Sequence, residues 1–167
     1  MKFKEVKTSN ALGMILGHSI KTKTQKFKKG QEIKKTDISI LIENKIYKFF
    51  AAEYEENDIN ENDAADLIAN SVKGENTVTK KPFTGRCNIY SDSDGVVLIN
   101  EKSVNSINYV DESITIATLL PYALVQKGQM IATIKIIPFA SSKSSVKKCI
   151  KICKNNLPVI KVAPFKY

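Results

Sequence analysis

Apolar residues change their spacing several times along this chain, and each change predicts an element. The run ALGMILGHSI at 11–20 is apolar without a helical period and carries Gly13 and Gly17, which predicts a strand with close backbone approach at the glycines. A turn is expected at Phe27-Lys28-Lys29-Gly30. Thr36 then caps a short helix to about Asn44, with Ile38, Leu41 and Ile42 inward. The aromatic-rich stretch IYKFFAAEY at 46–54 reads as a strand or a strand plus extension. Over 60–72 the period becomes helical: Asn60 is the expected N-cap, Glu61 and Asp63 suit the positive end of the helix, and Ala64, Leu67, Ile68 and Val72 form the stripe.

Past Gly74 the pattern is extended over 78–90, broken by Pro82 and Gly85. Asp94-Gly95 predicts a turn before the strand 96–99. Asn100 caps a short helix to Tyr109 with Val104 and Ile107 inward. Two extended runs, ITIATLLPYALV and MIATIKIIPF, flank a turn at Gln126-Lys127-Gly128-Gln129. A last helix over 142–154 places Val146, Cys149, Ile150 and Cys153 at i, i+3, i+4 and i+7, and a strand over 159–162 follows Pro158. Strands and helices mix without a regular βαβ repeat, so the class is α+β, with a β-rich core and about four short helices. The break at 73–79 divides the chain into two expected subdomains, 1–73 and 78–167.

Composition sharpens this picture. The 167 residues carry a net charge of +9. Its distribution is uneven: residues 1–35 hold ten lysines against Glu5 and Glu32, 53–66 hold seven acids and no lysine, and 141–167 hold seven lysines and no acid. A lysine-driven nucleic-acid surface is therefore an alternative to be weighed. Such surfaces usually add arginine forks or stacking aromatics, and this chain has one arginine and no tryptophan. No apolar run approaches the ~20 residues that span a bilayer, so no membrane role is expected. With three cysteines and no secretory h-region behind Met1, a cytoplasmic location is expected.

Few residues suggest chemistry. Cys149 and Cys153 share an apolar helix face and lack a second pair, so they read as core and not as metal ligands. No metal site is expected. His18 is the single histidine and has no assignable partner. The exception is PFTGRCN at 82–88, which contains Arg86, the one arginine among 26 basic residues. Gly85 permits backbone conformations other residues resist, Thr84 and Asn88 offer polar side chains, and Arg86 supplies a planar fork for phosphate or carboxylate. These four residues form a candidate anion site. The other reading is an internal bridge from Arg86 to Asp111 or Glu112.

PFTGRCN, INYVDESITIATLLPY and VQKGQMIATIKIIPFA, in that order, resemble a MoeA-like, molybdopterin-binding family of bacterial proteins linked to molybdenum cofactor biosynthesis. ALGMILGHSI, KKGQEIKKTDISILIENKIYKF and NDINENDAADLIA extend the resemblance through the first half. Leu120 before Pro121 departs from the family's usual Leu-Pro-Pro. The resemblance implies molybdopterin, or another phosphorylated small molecule, as the ligand, with no metal bound directly. Family chains continue into a MoaB/Mog-like domain where the pterin chemistry is expected. Tyr167 falls just before that point, so these residues are expected to be an N-terminal module without a complete active site of its own. Whether it forms a homo-oligomer is left open.

Overall fold

The computed structural model describes residues 1–156 and 158–166. It is α+β, with four α-helices and many antiparallel strands among the described residues. The chain divides into two compact units, Met1–Asp58 and Ile59–Tyr167.

In the first unit β1 (Lys2–Lys7) is followed by the short strands β2 (Ile15–Leu16), β3 (Ile20–Lys21) and β4 (Lys26–Phe27), helix α1 (Lys35–Glu43) and strand β5 (Lys48–Glu53). β5 lies between β1 and β2, antiparallel to both, and β3 pairs with β4. The core is built from Leu16, Phe27, Ile33 and Leu41, all fully buried, with Val6 and Phe49. The expected strand over 11–20 is interrupted. Gly13 takes a φ of 76° and donates its N–H to Ile33 O, while Met14 N–H bonds back to Ala11 O, so the contact with β5 starts only at Ile15 and Leu16 and ends with the Gly17 N–H on Phe50 O. α1 starts at Lys35, one residue before the expected cap, because the Asp37 carboxylate accepts from the Lys34 N–H at 3.0 Å. Its inward face is Leu41 with Ile38; Ile42 is exposed.

β6 (Asp58–Asn60) leads into α2 (Glu61–Val72), capped by Asn60 as expected: its Oδ1 accepts from the N–H groups of Asn62 and Asp63 at 3.0 and 2.9 Å. There follow β7 (Thr77–Thr79), β8 (Arg86–Ser91), β9 (Gly95–Ile99), α3 (Glu101–Asn108), β10 (Ile114–Thr118), β11 (Leu124–Val125), β12 (Met130–Ile136), β13 (Ala140–Ser142), α4 (Lys143–Asn155) and β14 (Ile160–Pro164). One antiparallel sheet runs β10-β12-β8-β7 and another β11-β9-β14.

Strand alternation gives the first of these sheets one apolar face. Cys87, Ile89, Ala132, Ile134, Ile136, Ile114 and Ile116 are buried on it. α2 covers β8 and β12, α3 covers β10, and α4 packs on α2 and α3. The buried face of α2 is Ala64, Ala65, Ile68, Ala69 and Val72. Three of these are alanines, which let the helix approach the sheet closely. Leu67, expected in the stripe, is instead exposed.

This packing places the division of the chain differently from the sequence expectation. α2 contributes its whole apolar face to the core of the second unit. The expected joint at 73–79 therefore lies inside that unit. It is held there by a bridge from Lys73 to Ile160 and by hydrogen bonds from Val162 N to Glu75 O and from Asn76 Nδ2 to Val162 O.

Candidate functional site

The PFTGRCN segment is a tight hairpin. Phe83 and Arg86 exchange both backbone hydrogen bonds, at 2.9 and 3.0 Å, leaving Thr84 and Gly85 as a two-residue loop. Both have positive φ, 45° and 69°, the signature of a type I′ turn. Neither Asn-Gly nor Asp-Gly stands there, so the usual sequence signal for this turn was missing.

Gly85 is required by space as well as by φ. A Cβ at this position would lie 2.5 Å from Glu61 Oε2 and 2.8 Å from Ile136 O. Its backbone is already engaged: the N–H donates to Asn62 Oδ1 at 2.9 Å and the carbonyl accepts from Ile136 N at 2.7 Å. That N–H is therefore unavailable to an anion, and Gly85 shapes the turn without supplying a donor of its own. Thr84 is exposed, and its carbonyl accepts from Lys135 Nζ at 2.5 Å.

Arg86 opens β8 on the solvent side of the sheet and is exposed. Among the described residues its guanidinium makes no hydrogen bond and no ion pair. The internal bridge to Asp111 or Glu112 is thus not formed. Asp111 is engaged elsewhere: it accepts from Ser145 Oγ at 2.5 Å and from Ser113 N at 2.9 Å. The Ser145 hydrogen bond, partly offset by burial, holds its carboxyl below the usual range. Glu112 is exposed.

The register shows what surrounds Arg86. Lys135 of β12 is directly opposite it, Thr133 is opposite Asn88, and Val78 of β7 is opposite Tyr90. Cross-strand partners share a face. The open face of this sheet therefore carries Arg86, Asn88 and Tyr90 on β8, flanked by Lys135 and Thr133. None of its strand positions is an acid. Asn88 is bonded within the face: its Oδ1 accepts from Thr133 Oγ1 at 2.7 Å and its Nδ2 donates to Tyr90 Oη at 3.2 Å. The Lys80 ammonium stands over the Tyr90 ring, 4.2 Å from its centroid. Lys135, Tyr90 and Lys80 are neighbours the sequence did not single out. The period-2 alternation of RCNIYS could have found Tyr90, whereas Lys80 and Lys135 needed the strand register.

His18 belongs to the first unit and is exposed. Its ring meets those of Phe3 and Phe50 edge-on, at centroid distances of 6.3 and 6.2 Å. All three cysteines are fully buried. Burial pushes their thiols up, to about 12 for Cys149 and about 11 for Cys153; for Cys87, also about 11, the nearby Asp66 carboxylate adds to burial. Among the described residues no three His, Cys, Asp or Glu side chains converge as metal ligands, and no helix is long and apolar enough to cross a membrane.

Residues 5–44 match the family model of a domain of unknown function, DUF8806. The match lies within the first unit and does not reach Arg86. No curated protein and no solved structure matches the chain.

Proposed function

We propose that this chain is a non-catalytic module that binds an anionic ligand through Arg86. One observation carries the reading. Arg86 and Lys135 stand directly opposite each other on an open sheet face that has no acid at its strand positions. The Lys135 ammonium is held on the Thr84 carbonyl, so an anion on this face gives the Arg86 guanidinium the partner it lacks. A planar fork also explains an arginine in a chain that otherwise uses lysine, because an ammonium cannot make two parallel directed bonds.

The ligand class follows from the MoeA-like resemblance. The reading is a phosphorylated pterin of the molybdopterin type, held by its phosphate, in a module that serves molybdenum cofactor biosynthesis in the cytoplasm and works with a MoaB/Mog-like domain. The Arg86–Lys135 pair suits such a phosphate. The Glu61 carboxylate packed against Gly85 borders the turn and confines the favourable ground to the strand face.

The test is a paired measurement of melting temperature and of binding to phosphate, a nucleotide and molybdopterin. Arg86→Lys is expected to weaken anion binding about tenfold, the loss of one charge-assisted bond, with the melting temperature unchanged. Unchanged affinity would refute the reading. A second reading, a nucleic-acid face, is favoured by the alignment of Lys80, Arg86 and Lys135 beside Tyr90. It predicts an affinity for single strands that falls steeply with salt. A shaped phosphate site loses far less over the same range.

A further inference from the structure

Three side chains on the Arg86 face form a directed series of hydrogen bonds that ends in an unclaimed donor. Thr133 Oγ1 donates to Asn88 Oδ1, and Asn88 Nδ2 donates to Tyr90 Oη. The tyrosine oxygen therefore accepts. Among the described residues its own O–H meets no acceptor. Asn88 precedes Tyr90 by two positions on the same strand face. Holding the hydroxyl over Asn88 leans the ring back along β8 toward Arg86. Residues on one face of a strand repeat about every 6.6–6.8 Å. The Tyr90 hydroxyl thus stands roughly one such step from Arg86, a gap that the long arginine side chain spans. The Lys80 ammonium, over the ring, adds a second positive charge to the same ground.

We propose that Tyr90 and Lys80 complete the Arg86 site and that the group bound there is a phosphate. The Arg86 fork takes two of its oxygens, the Tyr90 O–H takes a third, and Lys80 contributes charge. Asn88 does not touch the ligand; it is a positioning residue that aims the tyrosine hydroxyl, itself aimed by Thr133. A carboxylate has only two oxygens and satisfies the fork alone, which leaves the tyrosine donor idle. A tetrahedral dianion uses every donor. The inference rests on the anion-binding reading of Arg86 and adds to it the residues that select a phosphate over a carboxylate.

The experiment is calorimetric titration of the full chain with inorganic phosphate, phenyl phosphate and benzoate, with the melting temperature of each variant measured alongside. Wild type is expected to bind both phosphates and to bind benzoate at least tenfold more weakly. Tyr90→Phe keeps the ring under Lys80 and removes only the donor, and it is expected to weaken phosphate binding about tenfold. Asn88→Ala should weaken binding to a similar degree, and the double variant should be no weaker than either single one. Phenyl phosphate bound more tightly than inorganic phosphate identifies an ester as the ligand; equal affinity identifies the free ion. Tyr90→Phe binding like wild type, while Arg86→Lys loses affinity, would overturn this inference and leave the Arg86 reading standing. Additive losses in the double variant would overturn the role given to Asn88. A wild-type chain that binds none of the three anions would overturn both.

Discussion

At the scale of single residues, Gly85 holds the Arg86 turn in place. Any other residue there must adopt a φ of 69° and put a Cβ against Glu61 and the Ile136 carbonyl. The left-handed conformation alone costs about 1–2 kcal/mol for a residue with a Cβ. Gly85→Ala is therefore expected to lower the urea midpoint and, by shifting β8 against β12, to weaken anion binding as well. An unchanged midpoint would show that the turn adapts freely. The cysteines give a second test at this scale. Burial holds all three thiols above the normal range. At pH 8 a thiol reagent should label none of them in the folded chain and all three in denaturant. Rapid labelling without denaturant would contradict the packing of Cys149 and Cys153 against the core.

At the scale of elements, the start of α4 is fastened by a carboxylate. Ser142 caps the helix, and Ser145 in its first turn bonds to Asp111, which sits ahead of β10. The Asp111 carboxyl is depressed mainly by the Ser145 hydroxyl. A depressed folded-state value means that the unfolded chain takes up the proton first. The stabilisation is then complete above the ordinary carboxylate value near 4 and is lost as pH falls through the lower folded value. Asp111→Asn should cost roughly 1.5–3 kcal/mol at pH 7, the range for a hydrogen bond to a charged group. The gap between variant and wild type should close as the pH is lowered below about 4. Denaturant titrations at pH 7 and pH 3 check this, and a gap of constant size would assign the bond no charge dependence.

At the scale of the whole molecule, the division into units sets where the chain opens. Residues 54–57 lie outside regular structure and are exposed between β5 and β6. The stretch around Glu75 is also exposed at its surface, but its backbone is tied to β14 and to Asp92. A glutamate-specific protease is expected to cut after Glu55 or Glu56 well before Glu75, because the Glu55 backbone bonds locally, to Asp58 three residues on, whereas the Glu75 stretch must come away from a strand far along the chain before it is cleaved. Earlier cutting at Glu75 would restore the joint expected from composition.

What the sequence determined by itself is local. Asn60 and Asn100 each cap the helix that follows, because a short polar side chain before a periodic apolar run satisfies the first free N–H groups wherever the helix later packs. The i, i+3, i+4, i+7 spacing put Val146, Cys149 and Cys153 on the buried face of α4, and mixed strand and helix periods were enough for the α+β class. Arg86 stood out by composition alone. Tertiary structure decided the rest. Leu67 carries the right period and is exposed, since the sheet selected the alanine side of α2. The unit boundary moved ahead of α2 for the same reason: which core a helix joins depends on strands far away in sequence. Lys135 came opposite Arg86, and Lys80 over Tyr90, only through the pairing of β8 with β12 and β7. Register is a long-range property: a slip of one residue would turn Arg86 toward the helices, and no local pattern encodes the partner strand.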